Sequence, residues 1–197
     1  MSEDSFKVIY DHFTYAESKI KKIERLNGDG ISIPSINQLR YAGQHVLTAI
    51  LAEDSEVRKN NVYEAIDHCK RATYDAFEIG ILHFLSEINT FKQDYKYITV
   101  TDIIPDYVDK LKKVREAQSF IEVNNRNSIN DKSFEMDGRY SEIEVHYNNL
   151  EGINHSFDVA REELSKKIVS LRRNLILTIL GLIFVIISWI ITILVSK

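Results

Sequence analysis

The two residues of this sequence most able to do chemistry are an arginine and a histidine, Arg40 and His45, separated by four residues. An imidazole can transfer a proton near neutral pH, and a guanidinium can stabilise negative charge on a phosphate. The sequence has no phosphate-binding glycine loop, HExxH pair, paired-cysteine metal motif or GxSxG nucleophile elbow. We therefore expect no metal and no cofactor. The alternative to a functional Arg–His pair is two ordinary surface residues.

The pair lies in one segment, Arg40-Tyr41-Ala42-Gly43-Gln44-His45. This spacing resembles the R-X4–6-H motif of the HEPN superfamily, whose members are all-helical and often metal-independent ribonucleases. The resemblance implies that Arg40 steadies charge on a phosphate while His45 moves protons as a 2′-hydroxyl attacks it. Tyr41 stands where the family usually has a polar residue, which favours a protein that is not an enzyme. On a helix Arg40 would lie about 60° from the centre of the apolar stripe and His45 nearly opposite that centre. The two diverge by about 140°, so they would converge only through a partner chain.

A second polar cluster follows at steps of four, three and four residues: Glu64, His68, Arg71 and Asp75. We predict that these residues share one face of a helix, turned away from its apolar stripe. The ordinary interpretation is an exposed, salt-bridged surface. If the face that carries His45 meets this cluster, within one chain or between copies, the two would form an interface rich in histidine and arginine.

The composition favours a packed helical protein. Of 197 residues, 44% are hydrophobic and 27% charged, which suits one globular domain and not a disordered chain. Seven glycines and two prolines leave few breaks, so we predict an all-α fold. The formal charge of −4 argues against a strong nucleic-acid surface, and the single Cys69 excludes a disulfide framework.

Apolar periodicity predicts four helices before the C-terminal part, over about 4–25, 35–54, 55–91 and 102–123. Small residues recur on the second and third helices, so we predict that these two pair as an antiparallel hairpin. The second helix has the apolar stripe Ile36, Leu39, Gly43, Val46, Leu47, Ile50 and Leu51. The third has the predicted buried stripe Val62, Ile66, Cys69, Thr73, Phe77, Gly80, Phe84 and Ile88. Residues 95–101 are predicted to be extended, Ser55 to cap the third helix, and residues 124–132 to form a loop.

From about Gly138 the apolar periodicity continues without a stop from Ile143 to Leu175. It predicts one helix of about 60 residues. The expected organisation is a cytoplasmic HEPN-like helical bundle (1–136), a stalk helix (137–173) and a transmembrane helix (174–196). Whether the stalk packs on its own domain or on neighbouring copies stays open.

Residues 175–195 contain no charge and no proline. As a helix they would be about 31 Å long, enough to cross a hydrocarbon core of about 30 Å. The alternative is a buried helix of a soluble domain. Four basic residues precede this span and one follows it: Lys166, Lys167, Arg172, Arg173 and Lys197. The positive-inside rule then places the N-terminal part in the cytoplasm.

One face of the span collects its small and polar side chains. This face is formed by Asn174, Thr178, Gly181, Val185, Ser188 and Thr192. On a helix they lie within an arc of about 80°. Such residues let helices approach closely in lipid, so we expect self-association along this face, and a pore as a special case of it. The alternative is that each hydroxyl bonds its own backbone.

A helical cytoplasmic domain with an R-X4-H motif and one span, in under 200 residues, resembles the small membrane accessory proteins of type VI-B CRISPR systems. Those systems use an RNA-guided HEPN ribonuclease as their main effector. The resemblance implies an antiviral accessory of the bacterial inner membrane that forms a ring of copies and permeabilises or depolarises the membrane. Two alternatives stay open: a membrane-tethered ribonuclease that uses the Arg–His pair, and a tail-anchored scaffold without enzymatic activity.

Overall fold

The computed structural model describes residues 3–26, 28, 30–127 and 136–195, and within them the chain forms five α-helices and one short 3-10 helix. The helices are α1 (Glu3–Leu26), α2 (Ile33–Leu51), α3 (Ser55–Asp94), α4 (Tyr107–Asn127) and α5 (Met136–Val195), with the 3-10 helix at Val100–Asp102. The all-α class is therefore confirmed. The helix α5 is unbroken over 60 residues, as the continuous apolar periodicity predicts.

Local sequence explains the two turns around α2. Gly28, with a φ of 65°, supplies the left-handed residue that follows α1. Pro34 lies in the first turn of α2, where a missing N–H is not needed. At the start of α3, a carboxylate oxygen of Asp54 accepts hydrogen bonds from the backbone N–H groups of Glu56 and Val57, at 2.7 and 3.0 Å. The cap is therefore Asp54 and not Ser55, because only the carboxylate of Asp54 reaches both donors.

The central helix is α3, which packs against α1, α2 and α5. Its predicted stripe from Val62 to Ile88 is buried, apart from the half-buried Ile66. The aromatic rings of Phe77 and Phe84 lie 4.9 and 5.5 Å from the ring of Tyr147 on α5. At Gly80 the two helices touch so closely that an added Cβ would lie 2.6 Å from Cε2 of Tyr147. The first half of α5 thus packs on its own domain.

The predicted apolar stripe of α2 is not the face that this helix buries. Leu47 is 63% exposed and Leu51 is 81% exposed, whereas Ser35, Ala42 and Ala49 are fully buried. Small side chains let α2 lie close to α3, and this close packing outweighs the burial of the larger side chains. The pairing of α2 with α3 is as predicted, but α2 is rotated about its axis relative to the expected orientation.

The segment between α3 and α4 is also different from its prediction. Residues 95–101 form a turn and the start of the 3-10 helix, not an extended segment. Tyr95 and Val100 are buried there. Pro105 disfavours helix at Ile104, so α4 begins only at Tyr107. It continues to Asn127, so residues 124–127 are helical and not part of a loop, while residues 128–132 lie outside the described residues.

The last described residues of α5 that pack on the core are Leu164 and the half-buried Ile168. Every side chain from Leu171 to Thr192, the stretch that we call the second half of α5, is exposed. Within the described part of the chain, α5 is the one helix long and apolar enough to cross a membrane. Such an exposed apolar helix is consistent with a single-pass C-terminal membrane anchor.

Candidate functional site

The two polar clusters predicted from the sequence meet within one chain, across the α2–α3 hairpin. The imidazole rings of His45 on α2 and His68 on α3 stack with their centroids 5.2 Å apart and their planes inclined by 20°. The ring of Tyr41 lies 5.4 Å from that of His68. The interface rich in histidine is therefore formed by neighbouring helices and needs no second copy.

The rotation of α2 brings His45 to this position. With Ala42 at the centre of the buried face, His45 lies about 60° from that centre and Arg40 about 160° from it. His45 is half-buried toward α3, and Arg40 is exposed. The apolar stripe of α2 predicts the opposite arrangement, because burial of its larger side chains would turn Arg40 toward the core and His45 away from it.

Each histidine has an amide partner on the other helix. His45 Nδ1 lies 2.8 Å from Oδ1 of Asn61, and His68 Nδ1 lies 2.7 Å from Oε1 of Gln38. Low residue numbers on α2 contact high numbers on α3, which confirms the antiparallel hairpin. Sequence reasoning missed both amides. Their spacing is the one sequence pattern that points to them. Gln38 lies seven residues before His45 and Asn61 lies seven residues before His68, two turns away on the same helix face.

Burial and nearby cations favour the neutral form of His68. The pKa of His68 is lowered, chiefly by burial and then by the charges of Arg71 and His45, while Asp67 and Glu64 act in the opposite direction. Arg71 is itself paired with Asp67 at 2.6 Å. His68 is therefore a neutral imidazole at neutral pH, able to accept a proton or to bind a metal through one ring nitrogen.

The carboxyl group of Asp75, on the same helix as His68, affects the stability of the fold through its pKa. Its pKa is raised to about 6, chiefly by burial and then by Glu78, while Arg71 lowers it. Because the folded state favours the protonated carboxyl, stability decreases as the pH rises from the ordinary value of 3.8 to about 6, and the loss remains above it. At neutral pH the ionised carboxylate of Asp75 therefore lowers the stability of the folded state.

The Arg–His pair does not form a single site within the chain. The Arg40 guanidinium lies 5.0 Å from the centroid of the Tyr41 ring and lines an open groove on the outer side of α2. Tyr41 in turn contacts His68. Tyr41 therefore contacts both the exposed Arg40 and the half-buried His68.

The polar face of the span is exposed along its length, and two of its hydroxyls bond within the helix. Thr178 Oγ1 donates to the carbonyl of Asn174, and Thr192 Oγ1 donates to the carbonyl of Ser188, both at 2.9 Å. Around Gly181 an added Cβ would meet nothing within 4 Å. The hydroxyls of Thr178 and Thr192 are thus satisfied within the helix, and the face offers close backbone approach at Gly181 to another helix.

The chain matches no protein-family model, no curated protein and no solved structure.

Proposed function

We propose that this chain is a homo-oligomeric, single-pass membrane effector, with its helical bundle in the bacterial cytoplasm and its span in the inner membrane. The observation that carries the proposal is the second half of α5, whose apolar side chains are exposed all round from Leu171 to Ile191. Such a surface is stable in lipid, because its backbone is fully bonded within the helix and its side chains resemble the acyl chains. The basic residues before the span support the orientation.

Two ion pairs hold α5 to the bundle just before the span begins. Lys167 pairs with Asp102 at 2.5 Å, and Arg161 pairs with Asp94 at 3.0 Å. These contacts join α5 to the end of α3 and to the 3-10 helix. Because α5 is one continuous helix, a rearrangement of the bundle would be transmitted to the span, which is what a membrane effector with a cytoplasmic trigger requires.

Several copies are required for a membrane activity, because one helix cannot enclose water. The face from Asn174 to Thr192 is the surface through which we propose that the spans associate. Since two of its hydroxyls bond to their own backbone, the path would be narrow and weakly polar. The sequence resemblance supports a setting in antiviral defence, in which a ring of copies permeabilises or depolarises the membrane alongside an RNA-guided ribonuclease.

The test uses the full chain, purified in detergent and reconstituted into phosphatidylethanolamine–phosphatidylglycerol vesicles. Gly181→Leu and Ser188→Leu place a bulky side chain on the contact face and are expected to reduce oligomer mass and dye leakage. Ile183→Leu, on the opposite side of the helix, is the matched control and should change neither. Unchanged mass and leakage in both face variants would refute the proposal. An intact oligomer that gives no leakage or conductance would favour the scaffold alternative.

The ribonuclease alternative has no geometric support within one chain. Arg40 is exposed on the outer side of α2, while His45 is engaged with Asn61 and His68 on the inner side. The deciding assay incubates the oligomer with RNA in EDTA and measures 2′,3′-cyclic phosphate ends. Cleavage that His45→Ala abolishes would replace our proposal with the enzyme.

A further inference from the structure

A carboxylate completes a compact group of metal-ligating side chains at the histidine pair. One ligand atom each from His45, Glu64 and His68 lies within 4.8 Å of the other two. Glu64 and His68 are four residues apart on α3, which places both on the same face of that helix. We call these three residues the His45–Glu64–His68 cluster.

The hydrogen bonds around the cluster fix which nitrogen of His45 is available. The side-chain amide N–H of Asn61 donates to the carbonyl of Val57 at 2.8 Å, so the amide oxygen of Asn61 is the atom that faces His45. An oxygen of this kind only accepts, so His45 Nδ1 carries a proton and donates it. In the neutral ring, Nε2 then has a free lone pair.

His68 is held in the same way by Gln38, with its Nδ1 2.7 Å from the amide oxygen. A histidine that binds a metal commonly donates its second ring N–H to an oxygen, which fixes the tautomer and the ring orientation. Both histidines of the cluster have this outer partner. With Nδ1 engaged, each histidine has Nε2 left for a metal, and both side chains are half-buried.

The charges around the cluster are compatible with a cation. Arg71 is paired with Asp67 at 2.6 Å, and Glu64 adds a negative charge to the cluster.

We propose that His45 and His68, through Nε2, and Glu64, through its carboxylate, bind one zinc-type divalent ion that links α2 to α3. Two imidazoles and a carboxylate are a ligand set that zinc accepts, with water in the fourth position. Tetrahedral coordination at about 2.0–2.1 Å places neighbouring ligand atoms about 3.3 Å apart. Because the three ligand atoms lie within 4.8 Å of one another, rotation about the side-chain bonds of Glu64 and of the two histidines has to bring them to this spacing. This proposal contradicts our expectation from the sequence that the chain binds no metal, and it is independent of the proposed membrane function.

The test is zinc titration, by calorimetry, of the full chain in detergent after treatment with EDTA and removal of the chelator. The wild type is expected to bind one ion per chain. His45→Ala and His68→Ala should each weaken binding by at least about tenfold, whereas His155→Ala, an exposed histidine of α5, should leave it unchanged. Asn61→Ala tests the positioning role: we expect a loss of about tenfold, rescued by Asn61→Asp, which keeps an acceptor oxygen.

Absence of zinc binding by the wild type would overturn the proposal, and so would binding that is equally tight in both histidine variants. Circular dichroism establishes that each variant is folded. If a histidine variant fails to fold, Glu64→Gln decides the question, because the side chain of Glu64 is exposed and its loss leaves the packing intact. Undiminished affinity in Glu64→Gln would then exclude this cluster as the site.

Discussion

The two halves of α5 form one continuous helix with opposite surroundings. In the first half, the residues that recur every three or four positions are buried against α3 and α4: Ile143, Tyr147, Leu150, Ile153, Phe157, Ala160 and Leu164. The other faces of this half are mostly polar, with Val145 and Val159 as exposed apolar exceptions. In the second half the apolar side chains surround the helix and are exposed from Leu171 to Ile191. The change occurs between the half-buried Ile168 and the exposed Arg173.

The periodicity of the apolar residues, and not their number alone, indicates what surrounds a helix. A single stripe requires a protein partner on one side, whereas an apolar surface all round requires apolar surroundings on every side, supplied by lipid or by other helices. The first half therefore contributes to the free energy of folding. In the membrane function that we propose, the second half contributes to partition into the bilayer, and substitutions in the two halves should change different measurements.

The largest expected effect is in the packed half. The ring of Phe157 is 1% exposed and stacks on Phe91 with the centroids 4.3 Å apart. Phe157→Ala should lower the free energy of unfolding by about 3–5 kcal/mol, because it removes buried area and leaves a cavity. Denaturant unfolding of the bundle, followed by circular dichroism, measures the loss. Val159→Ala, at an exposed position two residues further on, is the control and should change stability by less than about 0.5 kcal/mol.

A charge in the exposed half should act on the membrane and not on the bundle. Ile183→Arg places a guanidinium near the middle of the span, at a cost of about 2.5–3.5 kcal/mol for insertion. We expect a larger fraction of the protein to be extracted by alkaline carbonate, with an unchanged unfolding midpoint of the bundle. If Ile183→Arg instead unfolds the bundle, the separation of the two halves is wrong.

Gly80 tests the close contact between α3 and the packed half. An alanine Cβ there would lie 2.6 Å from Tyr147 Cε2 and 3.3 Å from Ile23 Cδ1. The ring of Tyr147 is itself fully buried, so it has no room to move. Gly80→Ala should therefore destabilise the fold by about 1–3 kcal/mol through overpacking, despite the better helix propensity of alanine. Thermal unfolding measures the decrease, and a higher melting temperature would contradict the contact.

The smallest predicted effect has the opposite sign. Gly152 lies on the exposed side of the packed half, and an added Cβ there would meet nothing within 4 Å. Gly152→Ala should stabilise the helix by about 1 kcal/mol, because only the propensity difference remains. The same thermal unfolding experiment applies. A loss of stability at Gly152 would mean that this side of α5 is covered by a part of the protein or by another copy.

The sequence predicts the positions of the helices better than it predicts which face of each helix is buried. The long stripe of α3 and the continuity of α5 follow from apolar periodicity and from the lack of breaks. The face of α2 does not, because Leu47 and Ile50 carry more apolar area than Ala42 and Ala49. Burial of the alanines depends on how closely α2 approaches α3, which is a property of the helix pair. The turn before α4 is missed because the effect of Pro105 on the preceding residue outweighs the apolar pattern.

The candidate site is predictable only in part for the same reason. The types of its residues, histidine and glutamate, are visible at helical spacing on α2 and α3. Their convergence depends on the rotation of α2, so the sequence alone places His45 on the wrong side. The divergence of Arg40 and His45 within one chain is predicted correctly from their spacing, because it depends on a single helix.

The membrane orientation of α5 is tested most directly by cysteine labelling with an impermeant maleimide in spheroplasts. The native Cys69 gives little background, since it is fully buried and burial raises its pKa to about 11. We predict that a cysteine at Lys197 (Lys197→Cys) is labelled from outside, whereas a cysteine at the exposed Ser119 of α4 (Ser119→Cys) is labelled only after the membrane is permeabilised. Labelling of both positions before permeabilisation, or protection of the cysteine at Lys197, would contradict a span that crosses the membrane with the bundle inside.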